Sequence, residues 1–276
     1  MDLRNKVVVI TGANIGIGRA VAEDLAGRGA RLRLLCRSLD RAAPVIADLR
    51  ARCGHDDVHA IACDLGSLAS VRTAAAEILA REEPLHVLVN NAGVAGQRGL
   101  TSDGFELHFG VNHLGHFLLT NLLLERLRAS APARIVHVAS GNHFKAKGID
   151  WDAVRKPTAS ISGLPEYAAS KLGNVLFCAE LARRLEGTNV TTYAVNPGRV
   201  ASNIWQRLPW PIRPLFKMTM LTTQEGAFST IRAASDLEGA SGRYFDKRAR
   251  EQTASAPGRD AALARELWSR SEAWVA

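Results

Sequence analysis

The stretch "KVVVITGANIGIGRA", residues 6–20, joins a run of β-branched residues to the beginning of a helical pattern through a glycine-rich turn. The glycines are Gly12, Gly16 and Gly18, in the pattern TGxxxGxG. Glycine permits positive φ angles and a close backbone approach. The helix that follows offers free N–H groups and the positive end of its dipole to an anion. The stretch therefore predicts a site for the phosphates of a dinucleotide, and a tight turn without a ligand is the alternative.

The rest of the chain repeats this alternation of apolar strand-like runs and helical patterns. Six runs follow the first one: "RLRLLC", "VHAIAC", "LHVLVN", "RIVHVAS", "VTTYAVN" and the short "GRYF". The strands are almost entirely apolar, as expected where helices cover both faces of a parallel sheet. The pattern predicts an α/β fold, a single Rossmann-type doubly wound parallel sheet of about seven strands with helices on both faces. We expect residues 1–276 to form one domain.

Composition argues against several classes of protein. The formal net charge is +8, but no basic run is interleaved with aromatic residues, so we expect no nucleic-acid partner. No apolar stretch approaches the ~20 residues of a membrane-spanning helix, and the predicted first strand leaves no room for a signal peptide. A reducing, cytoplasmic location is expected because no CxxC pair occurs among the four cysteines, Cys36, Cys53, Cys63 and Cys178.

Further motifs follow the glycine turn in a fixed order. They are "CDL" at 63–65, "NNAG" at 90–93, "VNHLGHF" with Asn112, "VAS" ending at Ser140, "YAASK" at 167–171 and "NPGRV" at 196–200. Together with the turn, they resemble the short-chain dehydrogenase/reductase family over nearly the whole chain. The insertion "GIDWDAV" and the ending "LARELWSRSEAWV" resemble its retinol dehydrogenase and WW-domain oxidoreductase branch. The Arg- and Ala-rich composition suits a bacterial member.

The resemblance implies an oxidoreductase that transfers a hydride between a nicotinamide cofactor and a hydrophobic ketone, aldehyde or alcohol. Tyr167 would be the general acid and base, and Lys171, on the same helix face, would lower its pKa. Ser140 would bind the substrate oxygen, and Asn112 would hold a water for a proton relay. Two alternatives stay open: a catalytically silent dinucleotide-binding sensor or scaffold, and a related non-redox enzyme of the epimerase type.

The end of the second predicted strand bears on the choice of cofactor. NAD-preferring relatives carry an acidic residue where this chain has Cys36. Arg37 and Ser38 follow, and a guanidinium with a hydroxyl suits a 2′-phosphate. Arg19 and Asn14 would add donors near the first turn. We therefore expect NADP(H) to be preferred and NAD(H) to be possible, unless Arg37 is an ordinary surface arginine.

The resemblance also implies the other cofactor contacts. Asp64 would meet the adenine amino group, and Asn90 would both support the fold and face the ribose. Ser202 stands where many relatives have threonine. The full set of implied cofactor-binding residues is Gly12, Asn14, Ile15, Gly16, Ile17, Gly18, Arg37, Ser38, Asp64, Leu65, Asn90, Ala92, Gly93, Tyr167, Lys171, Pro197, Gly198, Val200 and Ser202.

Residues 203–222 are apolar and contain three prolines. We expect this segment to close over a hydrophobic substrate, with Trp205 and Phe216 as substrate contacts. Packing on the core and contact with a membrane surface are the alternatives.

The predicted long helix around residues 105–124 and the Tyr167 helix are apolar on more than one face. Relatives often pair these helices, so we expect a homodimer or homotetramer. His113 and His116 lie three residues apart, but no acidic or cysteine partner shares their helix face. We therefore expect no metal site.

Overall fold

The computed structural model describes residues 1–200 and 220–276, and its centre is one parallel sheet of seven strands. The strands lie in the order β3-β2-β1-β4-β5-β6-β7, which confirms the predicted doubly wound α/β fold. Their bounds are β1 Val7–Thr11, β2 Arg31–Cys36, β3 Val58–Ala62, β4 Val87–Asn90, β5 Ala133–Val138, β6 Val190–Val195 and β7 Tyr244–Phe245.

Helices cover both faces of the sheet. Helices α1, α2 and α7 pack on one face, and α3, α5 and α6 pack on the other, with α8 outside α6. Within the described residues, no helix has both the length and the apolarity needed to cross a bilayer. The helices are α1 Gly16–Gly27, α2 Leu39–Cys53, α3 Leu68–Leu79, α4 Leu107–Phe109, α5 Gly115–Ala129, α6 Leu164–Arg184, α7 Thr223–Ser235 and α8 Ala261–Val275.

Strand β1 explains why both faces need helices. All five of its residues are buried. Val9 enters the core beneath α3 and α5, whereas Val8 and Ile10 enter the opposite core beneath α1. Successive side chains of a strand point to opposite faces, so an entirely apolar strand must be covered twice.

The predicted long helix around residues 105–124 is interrupted. The short α4 leads into a π turn at Gly110–Leu114, and only then does α5 begin. Both glycines near the turn allow close packing. A Cβ on Gly110 would lie 2.3 Å from Thr101 Cγ2, and one on Gly115 would lie 2.5 Å from the Leu65 carbonyl oxygen. The turn carries Asn112, so it forms part of the candidate site.

The C-terminal helix α8 covers the second apolar face of α5 and α6. The Trp268 ring centroid lies 5.0 Å from that of Phe117 and 5.7 Å from that of Phe177. Trp274 packs in the same way near Phe105 and Phe109. The apolar pattern that suggested pairing between copies therefore has a partner within the chain. The prediction of a homodimer or homotetramer remains untested.

Candidate active site

A cleft opens at the carboxyl ends of the parallel strands, where β1 and β4 lie side by side. The chain leaves these two strands in opposite directions, which is where open α/β sheets bind ligands. The cleft has a volume of about 370 Å³. Its lining residues are Thr11, Gly12, Asn14, Ile15, Gly16, Ile17, Gly18, Leu35, Arg37, Ser38, Arg41, Cys63, Asp64, Leu65, Asn91, Ala92, Gly93, Val94, Val111 and Thr223.

The glycine turn forms the floor of this cleft. Gly12 and Gly16 have φ angles of +65° and +58°, which favour glycine. A Cβ on Gly18 would lie 2.4 Å from the Gly12 carbonyl oxygen, so the helix can approach the turn only without a side chain there. Ile15, the N-cap of α1, makes no side-chain capping bond. Among the residues that the structure describes, the N-cap therefore supplies no side-chain acceptor to the first N–H groups of the helix, which fits a dinucleotide phosphate.

The end of β2 supplies the cations of the cleft. Arg37 lines it as predicted, and Arg41, which the sequence analysis did not single out, lines it as well. Within the described residues, neither guanidinium has an ion-pair partner. The Ser38 hydroxyl accepts the Arg41 N–H at 3.3 Å, so it caps α2 while it faces the cleft. Burial raises the pKa of the neighbouring Cys36 thiol, which stays neutral.

The structure shows protein partners for two of the predicted cofactor contacts. Arg19 pairs with Glu23 and Asp48, each at 2.8 Å, and does not line the cleft. Asn90 is buried and donates to Thr120 Oγ1 at 2.8 Å. Its neighbour Asn91 lines the cleft instead, because successive side chains at a strand end point in opposite directions. Asn90 therefore supports the fold, which is one of the two roles predicted for it.

The π turn presents Asn112 to the loop after β4. Asn112 Oδ1 accepts the Val94 N–H at 2.8 Å, and its Nδ2 donates to the Val94 carbonyl oxygen at 3.0 Å. The same Nδ2 donates to Ser170 Oγ at 2.9 Å. The Ser170 hydroxyl donates in turn to the Tyr167 carbonyl oxygen at 2.8 Å. Asn112 is thereby fixed between the cleft loop and the first turns of α6.

The structure brings the four predicted catalytic residues together. Ser140 follows β5, and its hydroxyl is near enough to the Tyr167 phenol to oppose the rise of the phenol's pKa. Lys171 is 4% exposed, and its Nζ donates to the Val138 carbonyl oxygen at 2.7 Å. A Cβ on Gly93 would lie 3.1 Å from Asn112 Oδ1 and 3.6 Å from Lys171 Nζ. Because Gly93 also lines the cleft, the cluster adjoins it.

Burial dominates the pKa values of this cluster. Burial raises the pKa of Tyr167, and the hydrogen bond with Ser140 opposes the rise. Burial lowers the pKa of Lys171 to about 7. The lowering of the Tyr167 pKa by Lys171 and the oxidised nicotinamide stays a prediction for the cofactor-bound protein, whereas in the protein alone burial determines the direction. The reason is that desolvation penalises the charged form of each group.

The loop after β6 lies at the same edge of the sheet. Gly198 has a φ of +80°, and a Cβ there would lie 2.8 Å from Leu221 Cδ1. Pro197 and Val200 are buried, and a Cβ on Gly226 would lie 2.2 Å from Val200 Cγ2. The Val200 side chain is therefore used in packing against α7 rather than in the cleft. Ser202, Trp205 and Phe216 lie outside the described residues.

The buried histidines have protein partners. His113 Nε2 lies 2.9 Å from Ser271 Oγ, and His137 Nε2 lies 3.1 Å from Thr192 Oγ1. Burial lowers the pKa of each imidazole to about 3. In residues 1–200 and 220–276, no cluster of three or more His, Cys, Asp or Glu side chains could hold a metal ion.

Known proteins share this chain's sequence and fold. The short chain dehydrogenase family model matches residues 6–210. Human retinol dehydrogenase 11 is 44% identical over 276 residues, which covers 97% of this chain and 85% of that protein. Human retinol dehydrogenase 12 is 46% identical over 253 residues, which covers 89% of this chain and 78% of that protein. These relatives confirm the resemblance to the retinol dehydrogenase branch.

Solved structures agree with the fold. An uncharacterised protein from Mycobacterium paratuberculosis has a TM-score of 0.78 and 32% identity, with 99% of this chain and 96% of that chain covered. A short chain dehydrogenase from Shigella flexneri, complexed with NADP, has a TM-score of 0.71. At 20% identity, over 90% of this chain and 99% of that chain, it supports the fold alone. The chain belongs to the short chain dehydrogenase family, and it is an oxidoreductase that acts on CH–OH donors.

Proposed function

We propose that this protein is an NADP(H)-dependent oxidoreductase that interconverts hydrophobic carbonyl compounds and the corresponding alcohols, with Tyr167 as the general acid and base. The position of the buried Lys171, whose Nζ lies 5.8 Å from the centroid of the Tyr167 ring, is the observation that carries the proposal. This arrangement sets a proton donor at the edge of the glycine-lined cleft, and Ser140, directly after β5, would supply a second hydroxyl. A substrate oxygen that contacts both hydroxyls can accept a proton without leaving the site.

The cleft fits a dinucleotide phosphate because the glycine turn and the start of α1, whose N-cap Ile15 makes no side-chain capping bond, line it. Arg37, Arg41 and the Ser38 hydroxyl are the groups that would hold a 2′-phosphate. Asp64 is the only acidic residue among the described residues of the lining. Its assigned role is at the adenine, so it does not replace the ribose-binding carboxylate of NAD-preferring enzymes. We therefore assign NADP(H) as the preferred cofactor and NAD(H) as a weaker alternative.

When bound, the nicotinamide would supply the hydride for reduction and accept it in oxidation. In reduction, Tyr167 would donate its phenol proton to the carbonyl oxygen of the substrate. The Ser140 Oγ accepts the Asn142 N–H at 3.1 Å, so its own proton is free to hydrogen-bond the substrate oxygen. Lys171 returns a proton toward Tyr167. Asn112 holds the neighbouring cleft loop in place through its hydrogen bonds with Val94. Oxidation runs through the same groups in reverse.

A hydrophobic substrate is supported by exposed apolar side chains that lie close in sequence to these groups. Phe144 lies four residues after Ser140, and Leu164 lies three residues before Tyr167. Both side chains are exposed, as is Ile161, at 92%. Exposed apolar groups of this kind commonly mark a binding site. The names of the retinol dehydrogenase relatives make an apolar aldehyde, such as retinal, a reasonable member of a substrate panel.

The proposal is tested with the purified protein, NADPH and a panel of aldehydes and ketones of increasing apolar size. We expect substrate-dependent loss of absorbance at 340 nm, fastest with bulky apolar carbonyl compounds. Binding of NADPH without turnover of any carbonyl or alcohol would favour the sensor or scaffold alternative. Conversion of a substrate without net change in the cofactor would favour the epimerase-type alternative.

A further inference from the structure

His116 lies between the first turn of the dinucleotide cleft and the π turn that carries Asn112. Its side chain is 2% exposed. Nε2 lies 2.9 Å from Thr11 Oγ1, and Nδ1 lies 3.0 Å from the Asn112 carbonyl oxygen. One imidazole therefore contacts both a residue of the cleft and the backbone of a predicted catalytic residue.

The partners of this ring assign its protons. A carbonyl oxygen can only accept, so Nδ1 carries the proton and donates it. Thr11 Oγ1 accepts the N–H groups of Asn91 and Ala92, each at 2.9 Å. Its own proton goes to His116 Nε2, which is closer than the Val89 carbonyl oxygen at 3.4 Å. Burial lowers the pKa of His116 to about 4, so the ring stays neutral at physiological pH.

The contacts of Asn112 extend this series of hydrogen bonds to α6. Its Nδ2 donates to Ser170 Oγ, and the Ser170 hydroxyl donates to the Tyr167 carbonyl oxygen. The series therefore runs from Thr11 through His116, Asn112 and Ser170 to the backbone of Tyr167. Buried hydrogen-bond networks of this kind fix the positions of their members when every group is satisfied.

We propose that His116 is a positioning residue that holds Asn112, and through it the Tyr167 helix, in register with the dinucleotide-binding turn. The effect of His116 on catalysis rests on the proposed function, but the hydrogen bonds that join the two turns through His116 do not. Stabilising the Thr11 turn with a dinucleotide should then also stabilise the π turn through His116. A histidine that only stabilised the fold would give no such link between the two turns.

Hydrogen–deuterium exchange with and without NADPH tests the link directly. In the wild-type protein, we expect NADPH to slow exchange in peptides covering the cleft loop at 90–94 and also in those covering 110–117. In His116→Phe, NADPH should still slow exchange at 90–94 but should no longer slow it at 110–117. His113→Phe is the matched control, because it removes an equally buried imidazole, in the adjacent π turn, that contacts Ser271 instead. In His113→Phe, NADPH should slow exchange in both regions.

Kinetics supply a second readout. At saturating NADPH, His116→Phe should lower kcat at least ~10-fold, as expected when catalytic groups are displaced by a fraction of an ångström. The dissociation constant for NADPH should change less than ~3-fold, since His116 does not line the cleft. Thr11→Val should lower kcat in the wild-type background and have little further effect on kcat in His116→Phe.

Thr11→Val and Thr11→Ser keep the test open if His116→Phe does not fold, as checked by circular dichroism. Serine keeps the hydroxyl, so Thr11→Ser should retain protection of 110–117 by NADPH, and Thr11→Val should lose it. The proposal is overturned if NADPH fails to protect 110–117 in the wild type, or protects it equally in both His116→Phe and His113→Phe. A wild type that binds NADPH but reduces no substrate contradicts the proposed function, and the exchange data still decide the role of His116.

Discussion

The Nζ atom of Lys171 lies 5.8 Å from the centroid of the Tyr167 ring, one helical turn further along α6. Lys171 is buried and Tyr167 is partly buried, and burial moves their pKa values apart, down to about 7 for Lys171 and upward for Tyr167. Both neutral forms are therefore favoured. The phenol of Tyr167 therefore keeps its proton, which a substrate carbonyl oxygen can accept.

Replacement of Lys171 by methionine should stabilise the fold while it reduces activity. The pKa of Lys171 in the folded protein, about 7, lies below its ordinary value of 10.5. Between pH 7 and pH 10.5, the folded state therefore binds fewer protons than the unfolded state. The cost of burying the charged amine destabilises the fold in full below pH 7, and it disappears near pH 10.5. The Val138 carbonyl oxygen keeps Asn174 as a donor in the variant.

Urea unfolding at several pH values measures this effect. Lys171→Met should be more stable than the wild type by on the order of a few kcal/mol at pH 6, with a shrinking difference toward pH 10. The exposed Lys145 provides the control, since Lys145→Met should change stability little at any pH. Equal stability of wild type and Lys171→Met at pH 6 would show that the buried amine carries no penalty.

The two directions of the reaction should depend on pH in opposite ways. Reduction needs the phenol form of Tyr167, and burial raises its pKa, so this form persists through neutral pH and is lost at alkaline pH. Oxidation needs the phenolate, so its rate should rise with pH. The measurement is kcat/KM in both directions from pH 6 to 10. Alcohol oxidation that is fastest at acid pH would contradict Tyr167 as the base.

Arg37→Asp should shift the cofactor preference toward NADH. It replaces a cation of the cleft with a carboxylate, and one charge-assisted hydrogen bond corresponds to roughly a 10- to 100-fold change in binding. The measurement is kcat/KM for NADPH and NADH. Arg19→Ala is the control, because Arg19 is paired with Glu23 and Asp48 and should leave the preference unchanged. A wild type that prefers NADH would refute the assignment of NADP(H).

Trp205→Ala and Phe216→Ala should raise KM more for bulky hydrophobic substrates than for small ones. This prediction rests on the sequence alone, since both residues lie outside the described part of the chain. A large aromatic side chain that contacts an apolar substrate loses buried area when truncated, and a small substrate loses less. NADPH affinity should change little. An unaltered preference for substrate size in both variants would leave packing or membrane contact as the better explanation.

The sequence predicts the sheet and most of the site for a physical reason. Strands buried on both faces are continuously apolar, and the glycine turn and the Tyr167–Lys171 spacing depend only on local geometry. Long-range pairing is not visible in such patterns. Arg19 pairs with Asp48, 29 residues away. Trp268 of α8 packs on Phe117 of α5, on an apolar helix surface that suggested pairing with a second copy. The π turn at Gly110–Leu114 was missed because its residues also fit an ordinary helix.

The pKa values depend most strongly on the assembled fold. The i,i+4 spacing of Tyr167 and Lys171 indicates that they are close, but it does not reveal how completely the surrounding elements exclude water. Desolvation by those elements decides the direction of both shifts, and it depends on the assembled fold.

Turnover by Tyr167→Phe tests the central claim most directly. The substitution removes the phenol proton and keeps the ring, so the His108 contact and the helix packing are preserved. With the best carbonyl substrate of the panel and saturating NADPH, kcat should fall at least ~100-fold, the low end for general acid–base catalysis. NADPH binding, measured by fluorescence titration, should remain within ~3-fold of the wild type, as expected for loss of a group that acts in the transition state. A folded Tyr167→Phe protein that oxidises NADPH at a rate close to wild type would contradict the assignment of Tyr167 as the general acid.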